Sequence, residues 1–154
     1  MIVEKAGIDD IEELVQLRLA YLREDNGTLS IHEEKAIRSG LPFYFQETIG
    51  KNLIVFAIRE DDHIVSCAFL LVVKKPMSPA FLNGETGVVL NVYTCPPYRR
   101  KGYARAIMKT LLDTAKDMNL SPIELRSTED GYSLYKSVGF TDDDSKYHMM
   151  SWHI

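Results

Sequence analysis

The sequence has only two cysteines, Cys67 and Cys95, among 154 residues. They supply neither a framework of disulfides nor the paired-thiol spacing of a metal site, so reduced thiols in a cytoplasmic setting are the expected state. Four histidines, His32, His63, His148 and His153, likewise lack metal-ligand spacing, and no metal is expected. No apolar run approaches the roughly 18 residues that cross a bilayer. The opening MIVEKAGIDDIEELV carries charges where a cleavable signal would be apolar, so neither membrane insertion nor export is expected. Positive charge is also scarce: 18 Lys and Arg against 22 Asp and Glu leave −4, which argues against nucleic acid as the principal partner. Any anion-binding role must be local. No repeat, low-complexity tract or interdomain linker is present.

What is there suits a globular enzyme. With 45% hydrophobic and 26% charged residues, residues 1–154 read as one domain able to bury about two thirds of its unfolded surface. MIVEKA reads as a short strand, after which Asp9 or Asp10 caps a helix with apolar Ile11, Leu14, Val15, Leu19 and Leu22 at helical spacing. Ser30 and Glu33 form a capping-box pair opening a second helical segment, which Gly40 and Pro42 are expected to break into pieces. Asn52–Glu60 and His63–Val73 read as a hairpin turning at Asp61 and Asp62. Further elements are a strand in TGVVLNVYT, a helix with Ala104, Ile107, Met108, Leu111, Leu112 and Ala115 on one face, a strand in IELRS and a short helix in GYSLYKSVG. A terminal strand is expected in YHMMSWHI, with Met149, Met150 and Trp152 as strand and core residues, and FTDD is a further short-strand option. The order β, α, α, β, β, β, α, β, α, β implies an α/β fold, a mixed sheet with packed helices.

The most informative stretch is NVYTCPPYRRKGYARAIMKTLLDTAK, Asn91 to Lys116. A strand ends in two prolines, three cations and a glycine follow, and a strongly periodic helix begins. The first N–H groups of such a helix lack carbonyl partners, and the peptide dipoles place partial positive charge at the same end. Gly102 lets the backbone approach a ligand, Ala104 keeps the next turn narrow, and Arg99, Arg100, Lys101 and Arg105 add charge. A diphosphate is the ligand most easily accommodated. Neither the Walker spacing nor the three-glycine dinucleotide fingerprint is present.

YRRKGYA, with Arg99, Gly102 and Ala104 spaced as Arg-x-x-Gly-x-Ala, resembles the acetyl-CoA pyrophosphate loop of the GCN5-related N-acetyltransferase (GNAT) family. LYKSVGF, Leu134 to Phe140, resembles that family's second signature, in which a tyrosine sits beside the CoA sulfur. The resemblance is closest over Gly87 to Phe140 and least specific before Asn52. It implies a mostly antiparallel central sheet, helices on both faces, and a splayed strand pair that takes CoA. It also implies acetyl-CoA as co-substrate and direct acetyl transfer to a primary amine. Backbone groups of Val92, Tyr93 and Thr94 would pair with the pantetheine arm, and those of Arg100, Lys101, Gly102, Tyr103, Ala104 and Arg105 would hold the diphosphate. Tyr135 matches the general acid that protonates the departing thiolate. Glu124 lies near the strand position of a general base in some relatives, with Glu85 and Asn91 as other candidates; Thr128 falls near a position that often contacts the cofactor.

Taken singly, RRKG is an ordinary solvated basic turn and Tyr135 a half-buried helix aromatic. Both signatures in order favour the functional reading, while Cys95, without a neighbouring histidine, reads as a small structural residue. Tyr21, Arg23, Glu24, Phe43, Tyr44, Glu47 and the Lys75–Glu85 loop are candidates for the acceptor side, and their acidic and aromatic character weakly favours a cationic amine or peptide N-terminus. The acceptor class stays open, as do a homodimer and the alternative of a non-catalytic acyl-CoA sensor.

Overall fold

A computed structural model describes residues 1–154. Its sheet has five strands in sequential order: β1 (Glu4–Ala6), β2 (Leu53–Glu60), β3 (His63–Lys74), β4 (Glu85–Thr94) and β5 (Ile123–Glu124). Neighbours among the first four pair antiparallel and β5 joins β4 in parallel, so the sheet is open, mixed and mostly antiparallel. Four helices accompany it: α1 (Ile11–Asn26), α2 (Ile31–Thr48), α3 (Tyr103–Asp117) and α4 (Tyr132–Ser137). No helix is long and apolar enough to cross a membrane.

Side-chain alternation makes the central strands two-faced. Val55, Ala57, Cys67, Phe69 and Tyr93 pack with Leu14, Val15 and Leu19 of α1 and Phe45 of α2. Phe56, Ile58, Ala68, Leu70 and Val89 pack with Ile107, Met108, Leu111 and Ala115 of α3. Because both faces are covered, β2 and β3 read as continuous apolar runs rather than as alternation. The hairpin turns where expected, with Asp61 and Asp62 at φ +49° and +65°, the left-handed pair whose twist suits a two-residue connection. Ser30 and Glu33 close their capping box at 3.0 and 2.9 Å.

Three expectations need correction. Ile31–Thr48 is one helix with Pro42 inside it, not separate pieces. Proline removes a hydrogen bond and crowds a carbonyl at about 3 kcal/mol. Complete burial of Phe45, with Ile37 and Leu41 packed on the same cluster, offsets that penalty. The strand expected over IELRS pairs only at Ile123 and Glu124, because the chain then leaves β4. Finally, residues 141–154 form no strand and take part in no backbone–backbone hydrogen bond. Met149, Met150 and Trp152 are 86, 89 and 85% exposed rather than in the core. An alternating pattern specifies a strand's two faces but not the neighbour that must complete its hydrogen bonds.

Candidate active site

The register of β4 creates the site. Its inner edge pairs with β3 from Glu85 to Thr94, whereas its outer edge meets β5 only at Gly87 and Val88. Gly87 permits that close approach: a Cβ there would lie 2.6 Å from Ile123 Cδ1 and 2.9 Å from Leu70 Cδ1. Beyond it the strands part, leaving Val89 to Thr94 with an outer edge that no neighbouring strand pairs, roughly 20 Å long at strand spacing. In the same span Asn91 and Val92 together oppose Ala68, forming a bulge with Asn91 at φ +54°. The bulge is pinned from below. Asn91 is buried, accepts a 3.2 Å hydrogen bond from Arg18 Nη1, and directs Nδ2 to Cys67 Sγ at 3.6 Å.

At the end of β4 the chain makes a turn over Pro96–Tyr98 and reaches the loop at Arg99–Gly102. Arg100 at φ +66° and Gly102 at φ +82° are both left-handed, a combination that curls neighbouring N–H groups toward one side. The first backbone bond into α3 runs from Ala106 N–H to Gly102 O, so the N–H groups of Tyr103, Ala104 and Arg105 have no backbone partner. They point out of the helix end, where its dipole is positive. A Cβ at Gly102 would meet nothing within 4 Å, so the space above it is open.

The expected cations divide their work. Arg99 donates to Thr94 O at 2.8 Å and to Glu24 at 2.7 Å, and lies 5.5 Å above the Tyr93 ring. It therefore fastens the loop to β4 and α1. Lys101 sits 5.3 Å from the Tyr98 centroid, Arg105 donates to Ser137 Oγ at 2.8 Å, and Tyr103 hydrogen-bonds Glu60 through its hydroxyl. Arg100 alone of these side chains has no hydrogen-bond, ion-pair or ring partner on the protein. Diphosphate recognition at this loop would thus fall mainly to backbone groups.

Tyr135 stands on α4 with its ring 6.0 Å from Phe140 in an edge-on contact. Burial, with Tyr21 of α1 adding a smaller contribution, pushes its phenol up to about 12. The hydroxyl has no hydrogen-bond partner on the protein and stays protonated through neutral pH. Gly131 keeps room for the ring, since a Cβ there would come 2.9 Å from Tyr135 Cε2. Thr128 Oγ1 accepts from the Gly131 N–H at 3.2 Å, so its hydroxyl shapes the turn into α4. Glu124 is exposed and paired opposite Val88, about 13 Å along the strand from Val92. The register therefore sets it at the closed end of the cleft, away from the bulge. Glu85 lies farther back, opposite Lys74.

Sequence reasoning missed Arg18, which braces the bulge, and Gly131, which houses the Tyr135 ring. Arg18 could have been found as the residue three before Tyr21, on the same helical face. Nothing local marked Gly131.

An open mixed sheet whose fourth and fifth strands part beside a helix-end anion loop defines an acetyltransferase fold of the GNAT type. The model of the acetyltransferase (GNAT) family matches residues 12–140, and this chain belongs to that family. A crystal structure of a predicted acetyltransferase with acetyl-CoA from Clostridium acetobutylicum is similar at 25% identity and TM-score 0.81, over 97% of this chain and 95% of that one. A GCN5-related N-acetyltransferase from Ralstonia eutropha gives 21% identity and TM-score 0.77 over 97% of each chain. A ribosomal-protein-alanine N-acetyltransferase from Brucella melitensis gives 21% and 0.69, over 97% of this chain and 98% of that one. No curated protein matches the sequence significantly. Acetyl transfer is the chemistry that family and fold support.

Proposed function

We propose that the protein, as one domain, moves an acetyl group from acetyl-CoA to a primary amine by direct attack in a ternary complex. The observation that carries this reading is the continuity of the unpaired β4 edge with the free N–H groups at the start of α3. One long ligand with an amide-bearing arm and a diphosphate matches both. Val92, Tyr93 and Thr94 pair with the arm, and a bulge N–H polarises the thioester carbonyl. The backbone from Arg100 to Arg105 takes the diphosphate, and Arg100 adds its charge from outside.

The amine nitrogen attacks the carbonyl carbon, the N–C bond forms and the C–S bond breaks. Tyr135 donates its proton to the departing sulfur, and the proton released by the new amide nitrogen returns to the phenolate or passes to water. A phenol held near 12 is a poorer acid than a free one, so Tyr135 acts chiefly as a hydrogen-bond donor whose proton is replaced as it leaves. Glu124 pairs at the closed end of the cleft and Glu24 is held by Arg99, so we assign the base role to water. Rates should accordingly rise with pH toward the acceptor's own ammonium pKa.

Two free cysteines support a reducing, cytoplasmic setting. A second copy of this chain is the protein partner we favour: the β5 outer edge and the apolar tail at 145–154 are both unpaired, and exchange between two copies would complete both.

Thiol release from acetyl-CoA over a panel of amines tests the reading, with single-turnover rates compared between wild type and Tyr135→Phe. Phenylalanine keeps the ring packing and removes the donor, so acetylation should slow by roughly 100-fold with CoA affinity little changed. Wild-type single-turnover rates in a folded Tyr135→Phe protein would remove Tyr135 from the chemistry. Tight CoA binding without turnover on any amine would favour the sensor reading instead.

A further inference from the structure

Helices α1 and α2 flank an open, shallow groove of about 370 Å³ with apolar walls from Leu22, Ala36, Ile37 and Leu41, and with Arg18 and Tyr44 as its polar groups. That volume is at the small end of the range for ligand pockets, enough for a compact molecule. Arg18 joins the groove to the transfer site, because the guanidinium lining it also donates to Asn91 at the β4 bulge, 3.2 Å away.

The charge of this arginine is uncompensated. Arg23, Arg38, Arg59 and Arg99 each have a carboxylate within 4 Å, whereas Arg18, like Arg100, Arg105 and Arg126, has none, and of those four it alone lines the groove. Its protein partners are a neutral amide and the Tyr21 ring, 5.6 Å from Cζ to centroid. One of five guanidinium donors is thereby used, and the others remain for a ligand. The acidic residues that the sequence offered for a cationic acceptor are committed or remote: Glu24 holds Arg99, and Glu47 is exposed outside the groove lining. A polyamine brought here would meet a fixed positive charge among apolar walls.

We propose that the acceptor is a small amino carboxylate with an apolar side chain, such as an apolar α-amino acid, whose carboxylate is held by Arg18. The inference rests on the N-acetyl-transfer reading above. A carboxylate on Arg18 leaves the adjacent α-amine beside the bulge and sends the apolar side chain between Leu22, Ile37 and Leu41. One planar fork matches one carboxylate in a bidentate pair.

The test compares leucine, methionine and phenylalanine with their amides, which keep the side chain and lose the charge. An amino-acid amide has a less basic amine, hence more of the reactive neutral form, so basicity works against the expected preference. In wild type, at least one amino acid should exceed its amide roughly 10- to 100-fold in kcat/KM, the range of a charge-assisted pair. Arg18→Met should abolish that ratio mainly through KM, and Arg18→Lys should restore part of it. Titration calorimetry with CoA present provides a second readout: the amino acid should bind wild type and not Arg18→Met. Amides or simple alkylamines acetylated as well as the acids would overturn the carboxylate assignment while leaving N-acetyl transfer standing. Binding that needs Arg18, without thiol release on any amine, would uphold the pocket and sink the transfer reading. Neither binding nor turnover of any amino carboxylate would overturn the inference.

Discussion

Replacing Gly102 separates the conformation of the anion loop from its openness. Gly102 has φ +82°, and a Cβ built on it meets nothing within 4 Å, so the free protein charges a side chain only for the left-handed backbone. For valine that penalty is about 1–2 kcal/mol. At roughly 2–4 °C per kcal/mol in a domain of this size, Gly102→Val should lower Tm by about 2–8 °C. Asparagine tolerates the left-handed region, so Gly102→Asn should melt close to wild type. Both side chains would nevertheless occupy the open space through which, on the proposed reading, a diphosphate reaches the N–H groups of Tyr103, Ala104 and Arg105. Loss of even one charge-assisted bond, about 1.5–3 kcal/mol, weakens binding by roughly 10- to 100-fold. Calorimetric titration of CoA into wild type, Gly102→Asn and Gly102→Val, alongside thermal melts, measures the two effects independently. Dephospho-CoA should show the same pattern if the loop addresses the diphosphate, as proposed above. A folded Gly102→Asn protein with wild-type CoA affinity would refute the placement of the ligand on this loop.

Burial pushes the Cys67 thiol from its usual 9.0 up to about 12, so the neutral form favours the fold below pH 9 and its contribution fades as pH climbs from 9 toward 12. Denaturant melts should lose up to about 1.4 kcal/mol per pH unit from this group, and Cys67→Ala should flatten the slope; an unchanged slope would contradict the burial argument. Deleting residues 145–154 should convert a dimer into a folded monomer by light scattering with chromatography. A wild-type monomer, or a dimer that survives the deletion, would rule out exchange of the tail.

Much of the fold was legible because its signals are local. Ser30 with Glu33, the Asp61–Asp62 turn, the periodic face from Ala104 to Ala115 and the glycine before α3 each act within a few residues. The family resemblance in YRRKGYA and LYKSVGF was legible for the same reason: a loop that presents backbone groups needs fixed spacing along the chain. Within the sheet the residues themselves marked only the β2–β3 hairpin, and the mostly antiparallel arrangement was legible through the family resemblance.

Other outcomes depended on contacts between distant segments. Pro42 stays inside α2 because Phe45, Ile37 and Leu41 reach a core that the helix's own sequence does not contain. Glu124 had the right residue type, but the register with Val88 sets it at the closed end of the cleft. Trp152 and its neighbours alternate like a strand, and no edge of their own chain receives them. Arg18 shares a helical face with Tyr21 in the sequence, but only the packing of α1 over the β4 bulge sets its guanidinium on Asn91 with no carboxylate within 4 Å. Propensity and spacing act over a few residues and were written into the chain; register and charge compensation join residues many positions apart, and only the folded sheet decided them.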